Sequence, residues 1–510
     1  MANGWITDTL ILLPLGGAIF IALAPLARLA AGLVALAVSL VEIAFWGGAL
    51  NAFDYHSGAS VQLQDTTTWF GELGISYHVG FTGFAIWLVG LAAIVMTAAI
   101  AYAVWVGRER ARAYFASMLL LTAAIVGVFA AQDYLLFYVF WEAMLIPLYV
   151  LVGVWGGPGR LRATLMFFIY TMAGSLLMLA SIIVLGISHH SFDMVGPGGF
   201  SNSNWIFLGF VAAFVVKAPL FPFHAWLPDA YREAPPEVAG VLSGVVSKAA
   251  AYGFLYVAIL HFPDPARHFR TPILVLAAIG LVYGSLLAFR ASDFRGVMAY
   301  SSLAQLGLIT FGLFATNLAG FNGAVLQMVN HGLISAAMFM LAGLIELRAG
   351  TGKFDRLGGM AKGRPALATV LMTLGIIALA VPGSSAFAGE FMILTGVFTS
   401  GWAWSVIGAI AIVLAAMYML RLISAVLHRS RGVAVTDEAR DLRLPELAVL
   451  VPLLACLIFL SAWPAAVTDH TFGQSSGTPG LARLVSTNTY STASGNHVIV
   501  LNSPNLMVSH

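Results

Sequence analysis

Charge is the scarcest ingredient of this chain. Of its 510 residues only 9% are Asp, Glu, Lys or Arg, against 60% hydrophobic residues, and the mean hydropathy is +0.92. Soluble domains carry about 25% charged residues, so the composition excludes an ordinary soluble domain and indicates an integral membrane protein. The net charge of +2 gives no electrostatic footprint for nucleic acid. Cysteine is nearly missing: Cys456 stands alone, which excludes an intrachain disulfide and a cysteine-ligated iron–sulfur cluster. It reads as a small apolar residue in a late helix. The loop histidines His189, His190, His261 and His268 form no credible metal site. No glycine-rich phosphate loop ending in Lys-Ser/Thr is present, and no dinucleotide fingerprint, so no cofactor and no metal are expected on this chain. Segment 51–78 lacks Lys and Arg altogether and reads as an external, partly ordered loop. Residues 10–29 follow an acidic, lysine-free start with no clear cleavage site, and so read as a first span instead of a cleaved signal.

What is present is apolar sequence in lengths of about 20 residues, enough to cross a bilayer as helix. Such runs fall at 10–26, 30–49, 81–106, 114–130, 134–155, 163–187, 205–223, 238–260, 273–289, 297–315, 321–347, 366–399, 402–427 and 447–466. The expected fold is therefore an all-α polytopic membrane protein of about fourteen spans. With that count, 18 of the 24 Lys and Arg fall in loops on one side. Positive charge marks the cytoplasmic side, which places both termini on the non-cytoplasmic side of a cell (inner) membrane. The tail after Asp469 is rich in Ser, Thr, Asn and Gly and reads as a flexible external extension.

Against this background a few charges are misplaced. Lys217 lies in an apolar run two residues before Pro219, Lys248 lies in the next run, and Glu142 and Glu390 occupy two others. A charge at the centre of a membrane helix costs roughly 2.5–3.5 kcal/mol on insertion scales, and folding does not require it. Buried charges of both signs on separate spans point to ion or proton movement. Pro219 cannot donate to the carbonyl of Val215, and Pro222 repeats the defect, so this helix is expected to unwind and leave free carbonyls. Residues 366–399 are too long for one straight span, and Pro382-Gly383-Ser384-Ser385 interrupts them before Glu390.

Broken helices in two halves point to an inverted-repeat transporter. The expected division is 1–110 (three helices with the loop 51–78), 111–262 (spans four to eight), 263–428 (spans nine to thirteen) and 429–510 (the last span and the tail). Two inverted five-helix repeats would each hold one broken helix. The two breaks match only in architecture, since Lys217 precedes its break by two residues whereas Glu390 follows Pro382 by eight; ordinary proline kinks are the alternative.

A lysine desolvated alone loses proton affinity, and a carboxylate nearby restores it. Lys217 with an acidic partner that approaches or withdraws would therefore take up and release protons, and Glu142 is the candidate partner. Lys248, among small residues that leave room for water, reads as a relay or as one half of a structural ion pair. His331, in an otherwise apolar helix, reads equally as a carrier or as a hydrogen-bonded core histidine. Glu390 would end the series. Residues 224–230 are expected to cap and anchor the first break, Glu42 to pack against a polar neighbour, and Arg421 to snorkel towards the inner face.

Three strings carry a resemblance: FWEAMLIP at 140–147, VKAPLFPFHAWLPDA at 216–230 and AYSSLAQLG at 299–307. Together they resemble the antiporter-like membrane subunits of respiratory complex I, over nearly the whole chain to about residue 460. Within that superfamily FAGEFM at 387–392 is similar to the M-type branch, whose L and N siblings typically carry Lys at the position of Glu390. The resemblance implies a proton-translocating subunit of an NADH–quinone oxidoreductase, with Glu142 and Lys217 as modulator and carrier, Lys248 as central link, His331 as relay and Glu390 towards the exit. It implies NAD, FMN, iron–sulfur clusters and quinone on partner subunits, and other complex I membrane subunits, including siblings L and N, as partners beside lipid, protons and water. Gln305 departs from the pattern, since relatives often have His there; a direct relay at this point is not expected, although Gln can still order water. A subunit of a multisubunit cation/proton antiporter, or of a complex I-related hydrogenase or dehydrogenase, is the alternative reading.

Overall fold

The structure is a computed structural model that describes residues 3–57, 60–195, 203–436 and 439–472. The expected flexible tail therefore lies, from residue 473 on, outside the described residues. The helices are α1 (Gly4–Leu23), α2 (Arg28–Ala52), α3 (Gly83–Val106), α4 (Ala111–Ala130), α5 (Tyr134–Ala143), α6 (Leu145–Trp155), α7 (Arg160–His189), α8 (Asn204–Lys217) and α9 (Leu227–Glu233). They continue with α10 (Pro236–Leu260), α11 (Arg270–Arg290), α12 (Phe294–Phe314), α13 (Leu318–Ala349), α14 (Pro365–Ala378), α15 (Ser385–Phe398), α16 (Trp402–His428) and α17 (Leu444–Ala462).

Twelve helices among the described residues are long and apolar enough to cross a membrane, counting α5 and α6 as one, and α8, α14 and α15 are shorter apolar pieces. Joining α14 to α15 across 379–384, and α8 to the turn that follows it, completes the fourteen spans, with these two broken at the expected prolines. The apolar stretches of α10 and α13 are buried throughout, as expected for helices that are hydrophobic on all sides. They form the spine on which the site is built. Glycine makes their contact close: a Cβ on Gly244 would stand 2.9 Å from the carbonyl oxygen of Gly332, so the two backbones touch at this level.

Two local features differ from the expectation. The segment expected to be an external loop holds a β-hairpin, β1 (Gln62–Phe70) paired antiparallel with β2 (Ile75–Phe81). Its threonines and aromatics favour the pleated surface, and Gly74 takes a left-handed conformation in the turn. The hairpin sits on α1, where Thr7 Oγ1 donates to Leu63 O at 2.7 Å and Tyr77 OH donates to Asp8 Oδ1 at 2.8 Å. It also reaches the start of the fifth span, where Ser76 N donates to the Asp133 carboxylate at 3.2 Å. Burial pushes the Asp133 carboxyl up to about 6, against the pull of the Leu136, Ser76 and Leu135 amides. The fifth span, expected to be continuous, breaks at Met144. Pro147 has no N–H to offer the carbonyl of Ala143, so the interruption falls two residues after Glu142.

Candidate functional site: a line of buried ionisable groups

Lys217 is the last residue of α8 and is 1% exposed. The carbonyls that Pro219 was expected to free are in fact satisfied. Leu220 N–H reaches back to Val215 O at 2.9 Å, and the indole N–H of Trp226 donates to Val216 O at 3.0 Å. Trp226, within residues 224–230, thus acts as the expected cap. The Lys217 ammonium lies 3.9 Å from the centre of the Trp141 ring and makes a long 3.5 Å contact with Trp141 O. Among the described residues it forms no ion pair with Glu142. Glu142 is near enough for its charge to act on the lysine, yet its Oε1 is buried without a hydrogen-bond partner. A lysine over the face of a tryptophan is held by the ring quadrupole, so Trp141 holds the ammonium while the two charges stay apart.

Lys248 is fully buried at the centre of α10. The helix widens to π geometry at Leu242–Val246, and again at Gly253–Leu260; such widenings are frequent at functional sites because they re-aim backbone groups. Lys248 Nζ donates to Ser243 O at 2.6 Å and to Ser247 Oγ at 3.1 Å, and lies 2.6 Å from Nδ1 of His331 on α13. Three acceptors match the three hydrogens of an ammonium. With Nδ1 accepting, the imidazole is neutral and its hydrogen sits on Nε2, which is buried without a partner. Lys248 and His331, two separate candidates in the sequence, are one hydrogen-bonded unit.

Glu390 lies in the second turn of α15 and is 2% exposed. Gln305 Nε2 on α12 donates to Glu390 Oε1 at 3.0 Å, while Gln327 Nε2 on α13 reaches Gln305 Oε1 at 2.9 Å and Glu390 Oε1 at 3.5 Å. Glu390 Oε2 and Gln327 Oε1 are buried without partners. Gln305 therefore holds the carboxyl directly. Gln327 had not been singled out, although a signal existed: Gln327, His331 and Ser335 recur every four residues and so share one face of α13. That face meets Glu390, Lys248 and Ser243 in turn.

Other expectations meet the structure with mixed results. Glu42 is fully buried and makes no side-chain hydrogen bond: among the described residues both its carboxyl oxygens are unpartnered. Arg421 does more than snorkel: it donates to the carbonyls of Phe289 and, at 2.7 Å, Ala291, tying down the C-terminal end of α11. A further charged cluster went unnoticed in the sequence. Arg108 clasps the buried Glu237 through two 2.7 Å bonds, and Tyr114 OH adds a third at 2.6 Å. Glu237 opens α10, so this bidentate pair fixes the end of the helix that carries Lys248.

The family described as "NADH:quinone oxidoreductase/Mrp antiporter, TM" matches residues 131–419, a stretch that contains all five candidate groups. NADH-quinone oxidoreductase subunit M of Rickettsia prowazekii (strain Madrid E) is 33% identical over 419 residues, covering 81% of this chain and 85% of that protein. A chain of respiratory complex I from Thermus thermophilus with bound NADH superposes with a TM-score of 0.83 at 26% identity, over 94% of this chain and 99% of that one. A chain of the Mrp complex from Dietzia sp. DQ12-45-1b has the same fold, with a TM-score of 0.82 at 19% identity over 95% of this chain and 98% of that one.

Proposed function

Because the chain belongs to the NADH:quinone oxidoreductase/Mrp antiporter transmembrane family, we propose that it is a proton-translocating membrane subunit of an NADH–quinone oxidoreductase. The observation that carries this reading is the 2.6 Å contact between Lys248 and His331. It joins two spine helices, and the face of α13 that carries His331 continues through Gln327 to Glu390. Glu142 and Lys217 lie on one side of it and Glu390 on the other. Protons would pass along these groups and intervening water, with Glu142 modulating Lys217, Lys248 and His331 forming the central link, and Glu390 lying towards the exit. Coupling would be electrostatic. A charge change in a neighbouring subunit shifts the Glu142–Lys217 separation, and about 1.4 kcal/mol suffices for each pH unit of proton affinity.

In this reading residues 111–262 and 263–428 are the two inverted repeats. The arginine-rich loops face the cytoplasm, and both termini face the opposite side of the cell membrane. Redox chemistry resides on partners, so NAD, FMN, iron–sulfur clusters and quinone belong to other subunits, and sibling L- and N-type subunits flank this one. Replacing Lys217 with Met should leave the complex assembled and NADH-competent while abolishing proton uptake into membrane vesicles. Full pumping by such a complex would overturn the assignment. The family description also covers Mrp antiporters. Sodium-dependent proton transport in membranes that lack NADH dehydrogenase activity would move the chain to that branch.

A further inference from the structure

Several arginines of the basic face are already committed. Arg108 clasps Glu237, Arg232 pairs with Asp293, Arg295 with Glu346 and Arg348 with Glu446, while Arg364 and Arg421 are spent on backbone carbonyls. Arg28, Arg110 and Arg112 differ: among the described residues none of them forms an ion pair. Yet all three line one cleft of about 460 Å³, between the α1–α2 link and the start of α4. We infer that this cleft binds the phosphate of an anionic phospholipid, whose acyl chains lie against the exposed apolar residues of α1 and α2. The inference does not rest on the relay reading above.

Two of the arginines are placed by contacts that leave their charge unspent. Arg112 Nη1 donates to Ala24 O at 3.3 Å, which holds that side chain over the α1–α2 link. The Arg28 guanidinium lies against Gly107, where α3 ends in a left-handed residue, and a Cβ there would collide with Arg28 Nη2. Arg110 precedes α4, and its side chain makes no cap for that helix. Guanidinium groups match phosphate oxygens two at a time, and three like charges on one cleft repel each other until an anion sits among them. The first turn of α4, Ala111–Ala113, also lines the cleft, and its amide N–H groups have no helical acceptor. Glu109, in the same turn of chain, neither pairs with these arginines nor lines the cleft. A second cleft of about 420 Å³ on this face also gathers three arginines, Arg348, Arg440 and Arg443, but Glu446 lines it and is clasped by Arg348. The first cleft has its cations without a carboxylate.

Position decides for a lipid over a free anion. The three arginines stand where α2 and α4 begin, the level at which spans leave the hydrocarbon and enter the head-group layer. Basic pockets between spans at that level suit anionic head groups. Ala22 and Leu26 form the apolar side of the cleft. Beyond them Phe20, Leu23, Leu29 and Leu33 are each at least half exposed, and α2 is the least buried of the twelve long helices. A soluble phosphate would use the arginines alone. A phospholipid uses the arginines for its head group and this apolar surface for its chains.

The test uses the assembled complex in phosphatidylcholine nanodiscs, with a phosphatidylglycerol that carries a photoreactive group on one acyl chain as the probe. Labelling of residues 19–33 is read by peptide mass analysis as the probe fraction rises. Arg110 and Arg112 are exposed, so Arg110→Gln with Arg112→Gln should leave subunit content unaltered. At roughly fivefold per basic residue, the double change should raise the probe fraction for half-maximal labelling by about 25-fold. The same photoreactive chain on phosphatidylcholine should label both forms alike, and inorganic phosphate in millimolar excess should not displace the phosphatidylglycerol. Arg110→Glu should keep the complex assembled and abolish the labelling. Labelling unchanged by the double substitution would overturn the site. Displacement by inorganic phosphate would overturn the lipid and leave a site for a free anion. Loss of assembly in Arg110→Glu, with weak labelling in every form, would give the cleft to an acidic partner and overturn the lipid as well.

Discussion

The two broken spans solve the same electrostatic problem with opposite signs. At the first break Lys217 closes a half-helix, so its ammonium sits at the negative end of the α8 dipole. At the second break Glu390 follows the start of α15, so its carboxyl lies towards the positive end of that dipole. The field at a helix end is worth about 0.3–1 kcal/mol, up to about 2 in favourable buried geometry, and fades beyond the terminal turn. Lys217 is within that range, with the Trp141 ring as its other support. Glu390, one turn too deep to gain fully, depends on the Gln305–Gln327 pair. The unequal spacing of the two charges from their prolines then has a physical reason at these two breaks, where the cation precedes the interruption and the anion follows it; Glu142, an anion in the last turn of α5, does not follow that pattern.

Charge reversal tests this most severely. Lys217→Glu would put a carboxylate at the negative end of α8, against the negative face of Trp141 and near Glu142, and should prevent assembly. Glu390→Lys should be the milder change, because it forfeits only a faded dipole term and the glutamines can turn their carbonyl oxygens towards an ammonium. Subunit content of purified membranes measures both, and equal losses would break the comparison. A smaller change is Glu390→Gln, which keeps an acceptor for Gln305 Nε2. It should leave the complex intact and lower proton uptake several-fold, the range expected when one acid–base group is lost; undiminished uptake would remove Glu390 from the path.

The caps of the two breaks differ as well. The first is covered by a tryptophan reached ten residues later in the same chain. Trp226→Phe leaves Val216 O buried without its donor, which costs about 1–3 kcal/mol. It should appear as a lowered midpoint in thermal unfolding of the purified complex, and an unchanged midpoint would mean that the carbonyl finds another donor.

How much of this was legible in the sequence follows from which interactions are local. The apolar runs, both proline breaks and the isolated charges act within about a turn of the chain, and could be read directly. The 2.6 Å meeting of Lys248 with His331 spans 83 residues, and no local pattern encodes it. The π turns that aim Ser243 O depend on how α10 packs, since nothing in Leu242–Val246 disfavours ordinary helix. The hairpin was missed because no basic or strongly apolar run marks residues 62–81. Of the Gln327, His331 and Ser335 stripe only the histidine stood out in the sequence, because the glutamine and serine beside it at helical spacing are uncharged.

The second break is capped from other helices as well as from its own segment, and the smallest expected effect lies there. Ser384 Oγ accepts from Phe387 N at 3.2 Å, Ser461 Oγ on α17 accepts from Ser385 N at 2.9 Å, and Asn330 Nδ2 on α13 donates to Ser385 O at 2.8 Å. Three partial caps share what Trp226 does alone, so removing one should be tolerated. Ser461→Ala strips one acceptor from an N–H that no helical carbonyl can serve, at a cost of about 0.5–1.5 kcal/mol. The unfolding midpoint should fall by less than in Trp226→Phe, and proton uptake should be unchanged because Glu390 keeps both glutamines. A loss as large as that of the tryptophan variant would show that the second half-helix, like the first, hangs on a single donor–acceptor pair.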